Sequence, residues 1–270
     1  MNSLNQVLDP KTEDGKTYYL HLESGDMPPY VIIPGSPERI TKIVANWNDV
    51  VDVAHSRHYI SKRGVYKGME QGTTSTGIGA LSAEICINEL SKIGVHTMLR
   101  VGSTGCISEN FDHGDLIIPV ACITQDGTSE CYFEPRYPSF ADPIMVMALV
   151  EACERLGFRY GLGLEYTAGS FYMGQGRPLY DGDDSYWPSW AENIMPDIEQ
   201  KHVTVLEMDT SGQFVVGYLH NVRMAAILTV VAARKKGSFA YSDGEEKACL
   251  AASEALRILS EWDSEGKYRR

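Results

Sequence analysis

Six short apolar runs separated by longer amphipathic stretches are what most narrows the folds open to this chain. The runs are 30–35 (YVIIPG), 97–102 (TMLRVG), 115–124 (DLIIPVACIT), 161–169 (GLGLEYTAG), 203–208 (VTVLEM) and 224–233 (MAAILTVVAA). Each is rich in β-branched or small residues, as a strand buried on both faces of a sheet must be. Between them, Ala83, Cys86, Ile87, Leu90 and Ile93 recur at steps of three and four, and Ala248, Ala251, Ala252, Ala255 and Leu259 repeat the pattern near the carboxyl end. Each set makes one apolar helical stripe. Strands alternating with helices predict an α/β sandwich covered on both faces, with ligands gathered at strand carboxyl ends. The segment 50–77 breaks the alternation and reads as two or three short strands with turns at 62–64 and 67–68, so a mixed sheet is expected. No repeat or linker divides the 270 residues, and one domain is the expectation.

Charge and cysteine usage exclude several function classes. A formal net charge of -12 opposes binding to nucleic acid or anionic membrane, since a polyanion needs a basic surface to neutralise its phosphates. The six cysteines show neither a C-x-x-C pair nor the even ladder of a disulfide scaffold. The first residues lack the basic and apolar regions of a signal peptide, and no apolar run approaches the roughly 18 residues of a membrane span. A cytoplasmic small-molecule enzyme is expected. The seven histidines fall in neither H-x-x-x-H nor H-E-x-x-H spacing, so no metal site is predicted.

Four stretches could carry chemistry. Gly35-Ser36-Pro37-Glu38-Arg39 follows a strand and opens a helix, where backbone N–H groups and the helix dipole favour an anion and Arg39 adds a full charge. A plain capped helix, with Ser36 as cap and Pro37 at the first position, explains the same letters. Arg100 lies inside an apolar strand, where an unpaired charge is costly, so it needs an anionic partner: either a bound phosphate, cradled by Gly102-Ser103-Thr104-Gly105 at the strand end, or a structural carboxylate. Gln175 and Arg177 beside Phe171 and Tyr172 offer donors, an acceptor and a stacking face for a pyrimidine ring. Glu207 and Asp209 flank Met208 at another strand end, suited to sugar hydroxyls, while Asp209 or Thr210 could simply cap the helix that follows. The glycine-, tryptophan- and aspartate-rich stretch 174–190, with Asp181, Asp183 and Asp184, reads as a loop or lid over a site.

Taken in order, G-S-P-x-R (35–39), S-T-G-I-G (75–79), L-R-V-G-S-T-G (99–105), F-Y-x-G-Q-G-R (171–177) and E-M-D (207–209) resemble the nucleoside phosphorylase-I family, in its uridine-cleaving branch. The resemblance runs from about Tyr19 to the carboxyl terminus, leaving 1–18 as an amino-terminal extension and 19–270 as a single phosphorylase domain. It implies a three-layer α/β/α sandwich around a mixed, partly barrel-like sheet. The implied activity is reversible phosphorolysis of uridine to uracil and ribose 1-phosphate in pyrimidine salvage, with inorganic phosphate as co-substrate and no cofactor. It also implies a homodimer, or a hexamer built from dimers.

Carried over residue by residue, the resemblance implies that Gly35, Ser36, Arg39, Arg100 and Ser103 bind phosphate, with Arg57 completing the site from a neighbouring subunit. His21 would reach the ribose across the same interface. Thr104 and Gly105 would line the nucleoside site, Phe171 would pack on the base, Gln175 and Arg177 would hold its polar edge, and Arg234 would lie near it. Arg177, Gln175 and Arg100 are the residues implied to be catalytic. Glu207, Met208 and Asp209 match the family's Glu-Met-Glu ribose stretch, with Asp209 one methylene shorter, which predicts weak discrimination against 2′-deoxyuridine. His58 stands where cation-binding bacterial members carry a glutamate. The competing readings are a purine nucleoside phosphorylase, disfavoured by the absence of an acid in 230–237 (VVAARKKG), a hydrolytic nucleosidase, and a non-catalytic nucleoside-binding protein of the same fold.

Overall fold

The computed structural model describes residues 7–134, 136–180 and 186–268. Its strands are β1 (Tyr30–Pro34), β2 (Asn48–Ser56), β3 (Tyr59–Tyr66), β4 (Met69–Thr74), β5 (Thr97–Cys106), β6 (Leu116–Gln125), β7 (Ser139–Phe140), β8 (Tyr160–Ala168), β9 (Val205–Glu207), β10 (Arg223–Ala233) and β11 (Ser238–Phe239). The helices are α1 (Arg39–Val44), α2 (Ala80–Lys92), α3 (Pro143–Leu156), α4 (Ile194–Gln200), α5 (Thr210–Leu219) and α6 (Gly244–Ser264). All eleven strands share one mixed sheet, in which β5 pairs with β10 and the path β10-β6-β8-β9 returns to β5. Those five strands close a small barrel, and β1-β4-β3-β2 extends from β5 as an open wing. Helices α1 and α3 pack on α6, and α2 packs on α5, giving the outer layers of a three-layer α/β/α sandwich.

The helices follow their sequence signals. In α2 the stripe Ala83, Cys86, Ile87 and Leu90 is fully buried. Helix α3 begins where the Asp142 carboxylate accepts the N–H groups of Ile144 and Met145, both at 3.0 Å, and ends at left-handed Gly157. The alanines of α6 are buried against its neighbours, a small-residue face that lets a long helix lie close.

Two details of the wing differ from the sequence reading. No turn occurs at 62–64: β3 runs straight through, and the β2–β3 turn lies at Arg57 and His58, with Arg57 left-handed at φ 57°. Gly64 is a close-approach glycine, since a Cβ there would sit 3.0 Å from the Asn48 carbonyl oxygen and 3.2 Å from the Trp47 ring. The Lys67–Gly68 turn is present, with φ of 45° and 85° as a tight hairpin requires. The regular part of α1 begins at Arg39, two residues later than expected. It is entered through a tight turn in which Ser36 Oγ accepts the Glu38 N–H at 3.3 Å and the Ser36 carbonyl accepts that of Arg39 at 3.2 Å.

Strand β5 positions the site. One of its edges pairs with β1 from Thr97 to Val101 and with β9 at Gly105 and Cys106, while its other edge follows β10 throughout. Gly102, Ser103 and Thr104 therefore lie where the first edge has changed neighbours, the kind of switch point at which open α/β sheets bind ligands. The cradle expected after the strand is thus inside it, at the split between wing and barrel.

Candidate active site

A cavity of about 290 Å³ opens at this split. Gly35, Ser36 and Arg39 enter it from the β1–α1 turn, Arg100, Ser103, Thr104 and Gly105 from β5, Phe171, Gln175 and Arg177 from the segment after β8, and Glu207, Met208 and Asp209 from the end of β9. Thirteen residues singled out in the sequence thus converge from four separated stretches. The convergence is local chemistry as well as topology: a Cβ at Gly102 would stand 2.8 Å from Arg100 Nη2 and 3.0 Å from its Cζ, so only glycine lets that guanidinium lie along its own strand.

The deepest part is a buried charge cluster. Arg100 Nη2 donates to Glu207 Oε2 at 2.6 Å and to Asp209 Oδ2 at 2.9 Å, while its Nη1 and Nε have no hydrogen-bond partner among the described residues. The structural-carboxylate reading of Arg100 therefore holds for one nitrogen, and two nitrogens keep unused N–H donors. Glu207 Oε1 also accepts the N–H groups of Asp209 and Thr210 at 2.8 and 2.9 Å, so Glu207 caps α5. That corrects the expectation that Asp209 or Thr210 does so. The Asp209 carboxylate turns away from α5 to accept the Gly79 N–H at 2.8 Å, which ties the β4–α2 loop to the site.

Burial and pairing split the acids. Burial raises the Asp209 carboxyl to about 7 against the pull of Arg100. Burial acts on Glu207 as well, but Arg100 and the hydrogen bonds it accepts hold it down to about 2. Burial opposes the charge of Arg100, yet Asp209 and Glu207 raise its pKa further. At the outer side, Arg39 Nη1 donates to the Val101 carbonyl at 3.1 Å, and Nη2 to Ser103 Oγ at 3.4 Å and Glu245 of α6 at 3.0 Å. The Thr104 hydroxyl is committed to the Leu206 carbonyl at 2.9 Å.

The opposite end is built from a single turn of 3-10 helix, Met173–Gln175, and exposed aromatics. Buried Gln175 donates from Nε2 to the Glu207 carbonyl at 3.2 Å, and its Oε1 accepts from Arg177 Nη1 at 2.5 Å. The Arg177 guanidinium lies 3.9 Å from the Phe171 ring centroid and donates to the Phe171 carbonyl at 2.7 Å. Burial, with the nearby charge of Arg234, pulls Arg177 down to about 10. Arg234 does not line the cavity; it holds the Gln175 carbonyl at 2.8 Å from behind.

His21 and Arg57 also lie outside the cavity. Both are exposed, and Arg57 stacks 4.7 Å from the Tyr19 ring centroid, next in sequence but one to His21. His58 Nε2 pairs with Ser82 Oγ at 2.7 Å. Among the described residues no cluster of three histidine, cysteine or acidic side chains could hold a metal, and no helix is long and apolar enough to cross a membrane. Asp181, Asp183 and Asp184 of the expected lid lie outside the described residues.

Sequence reasoning missed Ile78, Leu206, Val231, Ala232, Phe239 and Tyr241, which complete the lining. Ile78 stands in the S-T-G-I-G motif and could have been named from it. Val231 is brought in by an irregularity in the β5–β10 register that no sequence pattern announces. Also missed was Glu165, a fully buried acid in the middle of an apolar run, the same signal that drew attention to Arg100.

Comparison with known proteins shows the family and the fold. The sequence profile of the Phosphorylase superfamily matches residues 29–261. The chain is 42% identical to a uridine phosphorylase of Thermococcus kodakarensis, over 95% of this chain and 91% of that one. It is 30% identical to a guanosine phosphorylase of Halorubrum lacusprofundi, over 90% and 96% of the two chains. The crystal structure of uridine phosphorylase from Vibrio fischeri ES114 has a similar fold, with a TM-score of 0.80 at 27% identity over 90% of this chain and 98% of that one. With its switch-point cavity, its arginines and its motif order, the chain belongs to the phosphorylase superfamily.

Proposed function

We propose that this protein is a uridine phosphorylase, a pentosyltransferase that converts uridine and phosphate reversibly to uracil and ribose 1-phosphate. The observation that carries the proposal is the pairing within one cavity of an incompletely satisfied, buried Arg100 with a preorganised Gln175–Arg177 pair. Breaking the glycosidic bond builds positive charge on the sugar and negative charge on the base, so fixed charges at the two ends do most of the work. Phosphate would bind Arg39, Arg100, Ser36, Ser103 and the backbone at Gly35, stabilise the cationic sugar and attack its anomeric carbon. Arg177 and Gln175 would stabilise the departing uracil anion, with Arg234 fixing the Gln175 backbone and Phe171 against the ring. Thr104 and Gly105 would line the sugar and base, and Glu207, Met208 and Asp209 would face the ribose. His21 and Arg57, both exposed, are suited to entering the cavity of a second subunit in a homodimer or a hexamer built from dimers. The reading includes no metal or organic cofactor, and a cytoplasmic enzyme of pyrimidine salvage whose residues 19–270 form one phosphorylase domain after an extension at 1–18.

The guanosine phosphorylase relative gives a purine reading its specific support. Against it, the strand end 231–233 presents Val231 and Ala232 to the cavity, and no acid lies in 230–237 to bond a purine's protonated N7. One assay separates the readings: base release from uridine, 2′-deoxyuridine and guanosine, with and without phosphate. Phosphate-dependent release of uracil, at rates for uridine and 2′-deoxyuridine within about tenfold of each other as one lost hydrogen bond allows, is expected. Guanine release in place of uracil would establish the purine activity. Release without phosphate would show a hydrolase, and no release at all a binding protein.

A further inference from the structure

We infer that Glu165 is a positioning residue for phosphorolysis: from behind the cavity wall it donates a carboxylic-acid hydrogen bond to Glu207 and withholds one negative charge from the anion site. The inference rests on the phosphorylase reading and adds to it a residue that touches neither substrate.

Glu165 sits on β8, fully buried, and does not line the cavity. On the adjacent strand β9 Glu207 pairs in register with Thr167, two residues on from Glu165 and on the same face, which brings the two buried carboxyls together. Two carboxyl groups can bond to each other only through a shared proton, so one of the two is an acid. The surroundings decide which. Glu207 receives Arg100 Nη2 at 2.6 Å and the N–H groups of Asp209 and Thr210, all of which favour its anion. Among the described residues Glu165 receives the Thr167 hydroxyl at 2.8 Å and, at 3.7 Å, the Cys122 thiol of β6. The proton therefore belongs to Glu165. Burial followed by the charge of Glu207 raises its pKa well above the usual carboxylate range, in the same sense.

The charge count gives this proton its purpose. Among the described residues Arg100 is the one cation bonded to Glu207 and Asp209. Were Glu165 ionised as well, three acids would surround one arginine at the place where a phosphate dianion must bind. A neutral Glu165 keeps Glu207 oriented toward Arg100 and α5 without adding repulsion.

The test uses the full chain, with kinetics in uridine and phosphate and calorimetric titration of inorganic phosphate. Glu165→Gln retains a neutral donor and an acceptor for Thr167, and should keep kcat and phosphate affinity within about threefold at neutral pH, whereas Glu165→Ala should weaken phosphate binding by about tenfold or more. The discriminating readout is the difference between the two proteins above phosphate's second ionisation, where phosphate stays a dianion. The unsubstituted protein should lose phosphate affinity relative to the Gln variant as Glu165 ionises, while Arg177, lowered to about 10, titrates in both and cancels. Arg100 and Glu207 keep their charges there, Asp209 has already ionised, and the Cys122 thiol is held protonated by burial and by Glu165. A tenfold loss of phosphate affinity in Glu165→Gln at neutral pH, an Ala variant indistinguishable from the parent, or parallel alkaline losses in parent and Gln variant would each overturn the inference. If the parent binds phosphate but cleaves no nucleoside, the functional reading fails while the titrations still decide the role of Glu165. If it binds no phosphate, both fall.

Discussion

The two ends of the cavity are built by opposite means. The end proposed to take phosphate and sugar is a closed web of buried charge, in which Arg100, Glu207 and Asp209 bond to one another and to the starts of α5 and the β4–α2 loop. The end proposed to take the base is a short 3-10 turn with Arg177 lying over Phe171, and exposed aromatics, Phe239 and Tyr241, packed edge to face at 5.5 Å. In the first, every group that would touch a ligand also supports the fold. In the second, Phe171, Gln175 and Arg177 hang from one segment and depend on one another. Function and stability should therefore be inseparable at one end and separable at the other.

Substituting Arg100 tests the coupled end with the largest effect. Arg100→Met leaves two buried carboxylates without their cation, a change expected to destabilise by about 3–5 kcal/mol and to reduce kcat/KM for phosphate by about 10²–10³. Urea unfolding together with phosphate-saturation kinetics would check both, and an unchanged unfolding midpoint would show that the cluster carries no structural load. Arg177→Ala is the matching change at the base end. It should lower kcat on uridine by about 10² with phosphate KM within about twofold, and alter stability by less than about 1 kcal/mol. Retained turnover would remove Arg177 from the proposed base contact, and a large loss of stability would erase the distinction between the two ends.

The smallest effect is a pH dependence confined to the coupled end. The Asp209 carboxyl titrates near 7 in the folded protein against 3.8 for an unperturbed aspartate, so between those values the folded state binds more protons than the unfolded one. Its contribution to stability therefore falls as pH rises through that window, by up to about 1.4 kcal/mol per unit. Glu207, held at about 2, acts in the opposite sense, with stability lost as pH falls below its unfolded value near 4.5. Above pH 5 Glu207 no longer contributes, and the difference from Asp209→Asn removes Glu165, His96 and His220, which titrate in both proteins. Asn at 209 does not titrate, so the unfolding free energy of the parent relative to Asp209→Asn should decline from pH 5 to pH 8. A difference that is constant across that range would place Asp209 in an ordinary carboxylate environment.

The contrast also explains what was readable beforehand. Arg100 was conspicuous because a charge inside an apolar strand demands a partner, and its partners prove to be acids at another strand end. Glu165 carried the same mark and went unread, because a lone acid gives no hint that its partner is a second acid. Gly64 and Gly68 look alike in sequence, yet only Gly68 turns the chain; Gly64 makes room for Trp47 and Asn48, which approach it from β2 and the residue before it. Phe239 and Tyr241 were invisible as site residues because nothing local distinguishes an aromatic at a cavity mouth from one on a surface.

The sequence by itself determined the alternation of strands and helices, the capped start and glycine stop of α3, and the stretches that would carry charge to strand ends. Those follow from periodicity, from backbone preferences of single residues and from the cost of burying ions, all of which act within a few residues. Only the tertiary structure decided that the strand path closes through β5 and β10, that β5 splits its edge between β1 and β9, and which carboxylate caps α5. These depend on which distant segments pair, and the protonation of Glu165, Glu207 and Asp209 depends in turn on how close that pairing brings them in a place water does not reach.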